Sequence, residues 1–515
     1  MTFIVTPSQM RAIDQDTIQN DVDRGFYYMG CAAKALFEEV HHLCGIHGWR
    51  HITIFCGTGN NGGDGVYLAW LLRRAGYAVL PLCLGTVRTA EGAAAVRLYE
   101  KTYGKIDILS HTEDLSQLPP TDVYIEALLG TGAVGPVRGR VAPCVAHMNR
   151  SNRPVIAVDS PAGVDAATAE VYPGALQASW TLSLGFPRVG HYFTDTSVLG
   201  RCICRVLPYP KEIVQRHGDS VYLLDENRVT AAIPRRQDRG SKYDHGVLFS
   251  FTGSPGMTGA AVLSARAAFR SGCGMVYAAL PEDSFSAMTF GCMETVCIPR
   301  VLPVTTWKNE EPLATALRRS TARLVGCGLS RDPRIAEEIR TFCSLYPTQL
   351  VLDADGLTAF AGHDELLRQL DTPILTPHAG EWQRLFGPLP PYGTEWISRV
   401  SHVAQSYGCV LVLKGMPTLI GAPTGEVFLS TYGNSALATA GTGDVLAGCI
   451  AAFRAQGCNS LNAALAGVAL HGRGAELFAD EQGEHALRAS DLPSYIGRAI
   501  HHTLSGTSDP ASPLP

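Results

Sequence analysis

The chain has 515 residues, 46% hydrophobic and 17% charged, with a formal net charge of −5 at pH 7. That composition buries large cores and argues against disorder. Without a long basic run, it gives a nucleic-acid or membrane-surface partner no electrostatic support. At about 150 to 250 residues each, two or more domains are expected. The opening MTFIVTPSQMRAIDQ has neither the basic start nor the apolar core of a signal peptide. No apolar run approaches the roughly 20 residues of a membrane helix. Fifteen cysteines without a CxxC pair are expected to be reduced, mostly buried residues of a cytoplasmic protein. Cys202 and Cys204 are expected on alternate faces of a strand. His41-His42 and His501-His502 lack further ligands at zinc spacing.

In chain order, Thr6-Pro7 with Met10, Ile13 and Ile18 predicts a capped helix with Pro at its first position. An Ala-rich helix from about Met29 to Leu43 follows. His51 to Cys56 then reads as a buried strand, 57–65 as a Gly-rich loop and 66–74 as a helix. Gly57, Gly59 and Gly62 satisfy GxGxxG in a strand–turn–helix context, a dinucleotide-phosphate pattern. The next strand, Tyr77 to Leu84, ends in Gly85-Thr86-Val87-Arg88, with no acid for a ribose hydroxyl. That disfavours a standard NAD dehydrogenase. Two more strands, Val123 to Leu129 and Pro154 to Val158, run into loops at 130–136 and 159–165. Three loops at strand C-termini converge on one edge of a parallel sheet, where α/β ligands bind. Asp159 reads as a turn-capping acid or as a proton-transfer group.

Leu207-Pro208-Tyr209-Pro210-Lys211 opens a polar connector reaching Ser220. It divides the chain into domains at 1–217 and 218–505, followed by a Ser/Thr/Pro-rich tail, 506–515, expected to be disordered. Strands and helices alternate again after it: Val247 to Phe251, a helix from about Thr258 to Ser271, Met275 to Leu280, and strands ending at Gly326, Leu352 and Leu413. A second doubly wound parallel sheet is expected, giving an α/β protein throughout. Near the end, Gly441, Thr442 and Gly443 precede Asp444 and an apolar run. This predicts a helix buried on most sides, whose first-turn N–H groups form a phosphate site. Asp444 there is either an N-cap or a base beside a phosphate.

Gly441-Thr442-Gly443-Asp444 resembles the anion-hole motif of the ribokinase-like superfamily, in which the Asp is a catalytic base. With Thr376-Pro377-His378-Ala379-Gly380-Glu381 and Lys414-Gly415 upstream, the second half resembles the ADP-dependent NAD(P)H-hydrate dehydratases. Asn60-Asn61-Gly62-Gly63-Asp64-Gly65 resembles the signature of the NAD(P)H-hydrate epimerases. All but the last dozen or so residues thus resemble the bifunctional NAD(P)H-hydrate repair family, which fuses the two.

The resemblance implies a Rossmann-like doubly wound first domain and a ribokinase-like α/β second domain. In the first, it implies that Asn60, Asn61, Gly62, Gly63 and Asp64 bind hydrated NADH or NADPH together with Gly130, Thr131, Gly132, Ala133, Val134, Gly135 and Pro136. Asp159 is then the acid–base residue. In the second, Ala260, Gly328, His378 and Asp444 face the substrate. Lys414, Gly415, Met416, Pro417 and Thr418 bind ADP, and Gly441, Thr442 and Gly443 form the anion hole. ADP is implied as a consumed co-substrate, with Mg²⁺, which Asp353 and Asp355 help place through water unless they are turn acids. A homo-oligomer is implied as well.

Four departures stand out. The family holds K⁺ with an Asn matching Asn61, an Asp where Glu126 stands, and a Ser or Thr where Ala162 stands. Asn61 and Glu126 are the remaining candidate ligands, so a weaker dependence on potassium is expected. Cys327 replaces a Pro in Gly326-Cys327-Gly328-Leu329, and Ala379 replaces another. Two alternatives remain: a ribokinase-like small-molecule kinase, or a dehydratase with a non-catalytic N-terminal binding module.

Overall fold

The apolar runs become strands of two separate sheets. The structure is a computed structural model and describes residues 2–109, 112–218, 220–236 and 238–506. Except for Gly506, the tail lies outside these residues. The chain divides into two compact units at residues 219 and 220.

In the first unit the strands are β1 His51–Cys56, β2 Ala78–Cys83, β3 Asp107–Ile108, β4 Val123–Ala127, β5 Val155–Val158, β6 Trp180–Leu184 and β7 Arg201–Arg205. All pair in parallel, in the order β3-β2-β1-β4-β5-β6-β7. The order reverses between β1 and β4, which opens a crevice at their C-terminal ends. β4 and β5 are buried along their whole length, as befits central strands of a parallel sheet. Helix α1, Pro7–Ile18, starts at a Thr6/Gln9 capping box. Helix α2, Val22–His47, is longer than its Ala-rich middle predicts, because Asp21 caps it with its side chain.

Helix α3, Asn60–Arg74, corrects the loop expected over 57–65. Asn60 to Asp64 form its first turns, with Gly59 as N-cap. Packing overrides the low helix propensity of glycine here. A Cβ on Gly62 would lie 2.0 Å from the Gly57 carbonyl oxygen, and one on Gly63 2.7 Å from Gly92 Cα. Cys202 and Cys204 are corrected too. Both lie on β7 two residues apart, and a strand's period of two puts them on one face.

In the second unit the strands are β8 Val221–Leu223, β9 Val247–Phe251, β10 Met275–Leu280, β11 Val296–Pro299, β12 Ala322–Val325, β13 Leu350–Leu352, β14 Ile374–Leu375, β15 Val410–Leu413, β16 Thr418–Gly421 and β17 Val427–Ser430. They run β8-β17-β16-β15-β14-β13-β12-β9-β10-β11. β15, β14, β13, β12, β9, β10 and β11 pair in parallel, whereas β15-β16-β17 are antiparallel. The sheet is therefore mixed, because the short turns after β15 and β16 can join only antiparallel strands. Helices α4 Thr258–Arg270, α5 Ala379–Phe386, α6 Thr442–Ala455 and α7 Ser460–Gln482 matter for the site. A Cβ on Gly448 of α6 would lie 2.1 Å from the Ser264 carbonyl oxygen of α4. Only glycine allows that approach. No described helix is long and apolar enough to cross a membrane.

Candidate active sites

In the first unit, three strand ends bring the expected residues together. Asn61, in the first turn of α3, donates through Nδ2 to the carbonyl oxygens of Leu129 at 2.7 Å and Val158 at 3.3 Å. It thereby ties the loop after β4 to the end of β5. Asp159 follows β5 in a left-handed conformation, φ 68°, uncommon for a non-glycine residue and characteristic of functional sites. Its Oδ2 accepts from the Thr131 N–H at 3.4 Å, and Gly130 leaves the space between it and Asn61 open. Asn60 and Val134 are exposed, and none of these contacts involves Ala133 to Pro136.

Sequence reasoning missed Arg188, which follows β6. It is buried, and it donates to Asp159 Oδ1 at 2.9 Å and to the carbonyl oxygens of Leu184, at 3.0 Å, and Phe186. A lone cation just beyond an apolar strand was the available signal. Asp14 and Tyr209 were also missed. The Tyr209 hydroxyl donates to Asp14 Oδ1 at 2.6 Å, while burial pushes the Asp14 carboxyl up. Burial, then the charges of Asp159 and Asp14, push Asp64 well above the carboxylate range. His191 sits 3.2 Å from Ser160 Oγ; burial and then Arg188 push it down to about 4, so it stays neutral at physiological pH. The crevice thus combines carboxyl groups biased toward the protonated form with one acid held by a guanidinium. That arrangement can give and take a proton.

In the second unit, the segments that follow β12, β13 and β15 bring Cys327, Asp353 and Lys414 beside Asp444, near the start of α6. Gly441, φ 90°, is the N-cap of α6, and no side chain caps it. Asp444 lies three residues on and is not the cap. Burial, then the charge of Asp353, push its carboxyl up to about 6. Thr442 Oγ1 donates to the carbonyl oxygens of Leu437 and Thr439, both at 2.9 Å. The His471 ring on α7 bonds the Thr442 carbonyl oxygen at 2.9 Å and fixes the turn from behind.

Lys414 ends β15. Its Nζ lies 2.8 Å from Asp353 Oδ1 and 3.6 Å from Glu381 Oε2. Burial works against its charge, but the two acids outweigh it and hold the ammonium above its ordinary range. A Cβ on Gly443 would lie 3.6 Å from that Nζ, so the ammonium borders the helix start. Thr376 donates to the same Asp353 oxygen at 2.7 Å. Asp355 accepts from the Ser330 N–H at 2.8 Å. Both acids are thus engaged by protein donors.

His378 caps α5: its Nδ1 accepts from the N–H groups of Gly380 at 2.9 Å and Glu381 at 3.3 Å. That places the ring hydrogen on Nε2, which lies 3.4 Å from Glu381 Oε1. Ala260 and Gly328 meet, the Cβ direction of Gly328 passing 2.9 Å from Ala260 Cβ. Gly415 to Thr418 form the turn into β16, closed by Thr418 Oγ1 on the Gly415 carbonyl oxygen at 2.8 Å, with Met416 exposed.

The relatives match both halves. Residues 250–498 match the family described as NAD(P)H-hydrate dehydratase, and 27–190 match the YjeF-related protein N-terminus. The bifunctional NAD(P)H-hydrate repair enzyme Nnr of Moorella thermoacetica is 32% identical over 509 residues, 96% of each chain. That of Salinibacter ruber is 34% identical, covering 96% of this chain and 95% of its own. The chain belongs to the bifunctional NAD(P)H-hydrate repair enzyme family. Among solved structures, the Bacillus subtilis ADP/ATP-dependent NAD(P)H-hydrate dehydratase, co-crystallized with ATP/Mg²⁺, is 28% identical, with TM-score 0.47, covering 55% of this chain and 99% of its own.

The family's potassium does not fit the residues present. Glu126 Oε1 accepts from the N–H groups of Leu128 at 2.8 Å and Leu129 at 3.3 Å, and Oε2 from that of Ala162 at 3.2 Å. The carboxylate thus turns to backbone donors on both loops, and Ala162 has only a methyl group to offer. Burial pushes Glu126 up to about 7 despite those donors.

Proposed function

We propose that the first unit interconverts the R and S forms of hydrated NADH and NADPH, and that the second dehydrates the S form at the expense of ADP. What carries this reading is the convergence of Asp444, Lys414 and the uncapped start of α6 on one point. A base, a cation and oriented N–H groups stand together, as phosphoryl transfer to a hydroxyl requires.

In the second unit, Asp444 takes the proton of the hydrate hydroxyl. The oxygen attacks the β-phosphorus of ADP, and AMP leaves. Lys414 and the N–H groups of 441–443 offset the phosphate charge. The phosphorylated carbon then loses phosphate as its neighbouring carbon loses a proton, which restores the reduced nicotinamide. Atoms balance as hydrate plus ADP giving NAD(P)H, AMP and phosphate. Magnesium supplies charge neutralisation on the nucleotide's phosphates. Asp353 and Asp355, each with one oxygen already accepting from a protein donor, would help hold it through water.

In the first unit, Asp159 moves the proton as the C–O bond of the hydrate opens and recloses, while Arg188 holds its geometry. No step is assigned to potassium. The pairing of Asp159 with Arg188 favours this over a non-catalytic binding module. Each separated epimer should be consumed by the full chain with ADP and Mg²⁺, yielding NADH and AMP in equal amounts. Consumption of the S form alone would reduce the first unit to a binding module. No consumption with ADP, but phosphorylation of simple alcohols by ATP, would return the chain to the kinases.

We further infer a homo-oligomer built on the second unit. Edge strand β11 and its flanks expose Phe290, Met293, Val296, Val301 and Leu302, a patch that solvent alone does not explain. Phe290→Asp should lower the mass measured by light scattering. The fifteen free cysteines support a reducing, cytoplasmic setting.

A further inference from the structure

Cys327 follows β12 in the floor of the second site and is fully buried. Its Sγ lies 3.8 Å from Asp353 Oδ2. Sγ, an Asp353 oxygen and an Asp444 oxygen all fall within 4.8 Å of one another, the one such trio of potential metal ligands among the described residues.

We propose that Cys327, Asp353 and Asp444 bind a thiophilic divalent cation, zinc by preference, which shuts the second unit by occupying its base. Zinc takes thiolate sulfur at about 2.3 Å and carboxylate oxygen at about 2.0–2.2 Å, so its ligand atoms stand roughly 3.3–3.8 Å apart. The trio reaches that spacing with small side-chain adjustments. Asp353 is already oriented for it. Lys414 and Thr376 hold its Oδ1, which leaves Oδ2 facing the sulfur. Such outer contacts are what fix metal-ligating carboxylates.

The thiol gives its proton to solvent as the metal–sulfur bond forms. The dication then meets one thiolate and two carboxylates, while Lys414 is shared between Asp353 and Glu381, and the fourth coordination position stays open for water. Magnesium, a hard ion bound through oxygen, gains nothing from the sulfur. The site therefore separates zinc from the ion that accompanies the nucleotide.

The effect on turnover rests on the dehydratase reading; binding does not. Two measurements on the full chain, stripped with chelator, decide it. Cobalt(II), titrated without nucleotide, should give a thiolate-to-cobalt absorption band that is lost in Cys327→Ala and weakened in Asp353→Asn. At constant Mg²⁺, zinc should inhibit dehydration, and half-inhibition should need about tenfold more zinc or higher in Cys327→Ala, each protein compared with its own zinc-free rate. Cys327→Ser, close in size, replaces the alanine variant if that one unfolds. An identical cobalt spectrum in parent and variant, or equal zinc sensitivity, overturns the proposal. A Cys327-dependent band in a chain without dehydration would overturn the dehydratase reading while keeping the metal site.

Discussion

The Arg188 guanidinium donates to Asp159 Oδ1 at 2.9 Å and, through the same nitrogen, to the Leu184 carbonyl oxygen at 3.0 Å. One buried cation therefore fixes both the acid and the strand end beside it. Arg188→Lys keeps the charge but loses the planar fork. Epimerisation kcat is expected to fall by about 10- to 100-fold, with a smaller change in KM, because misplacing a reacting group by an ångström costs that much.

Asp444→Asn should abolish dehydration and spare nucleotide binding. Asparagine keeps the shape and is no base, so turnover should fall about 10²–10⁴-fold or more. In the parent, Asp444 is pushed up to about 6 by burial and by Asp353. The active form is the carboxylate, so the dehydration rate should decline as pH falls through that value. A flat profile between pH 5 and 8 would remove Asp444 from the role of base.

Lys414→Ala should weaken ADP more than the hydrate. A charge-assisted phosphate contact contributes about 1.5–3 kcal/mol. The variant also strands Asp353 and Glu381, whose side chains are 3% and 8% exposed. Breaking a buried pair costs about 3–5 kcal/mol, so the melting temperature should drop too. Calorimetric titration of both ligands, alongside thermal unfolding, separates the two effects.

Epimerisation should proceed at full rate in potassium-free buffer, since the Glu126 oxygens already serve backbone donors. The double change Glu126→Asp with Ala162→Ser shortens one side chain and adds a hydroxyl, and should create saturable activation by potassium. Steep activation of the parent enzyme would contradict the assignment.

Glu126 also makes a stability prediction. Its carboxyl is raised from 4.5 to about 7 in the folded chain, so the native state holds the proton more tightly than the unfolded one. The stabilisation is fully present below pH 4.5 and is lost as pH rises through about 7, a change worth roughly 3 kcal/mol at most. Glu126→Gln should flatten this dependence, read from hydrogen exchange of the β4 amides at several pH values.

The strands were legible because central parallel strands carry unbroken apolar runs. Met275 to Leu280 and His51 to Cys56 fall where the pattern puts them. Asn60 to Asp64 were misread, because close packing rather than propensity makes that segment helical. Asp444, Lys414 and Asp159 could be named from local motifs, but their partners could not. Arg188, Asp14 and Tyr209 are brought together by topology, and nothing in their sequence spacing records it. The antiparallel β15-β16-β17 edge escaped for another reason: short apolar strands look alike whichever way they run.

The approach of Gly448 to Ser264, too close for any side chain, means that the helix carrying Asp444 cannot slide or turn without breaking its contact with α4. The base is thus part of the frame, and the substrate must be brought to it. Adaptation to a different hydroxyl compound would then fall to the strand-end segments, such as the turn from Gly415 to Thr418 and the loop around Ala260. These can change length and chemistry while α6 stays as it is. Among relatives, variation should concentrate in those segments and leave Gly448 unchanged.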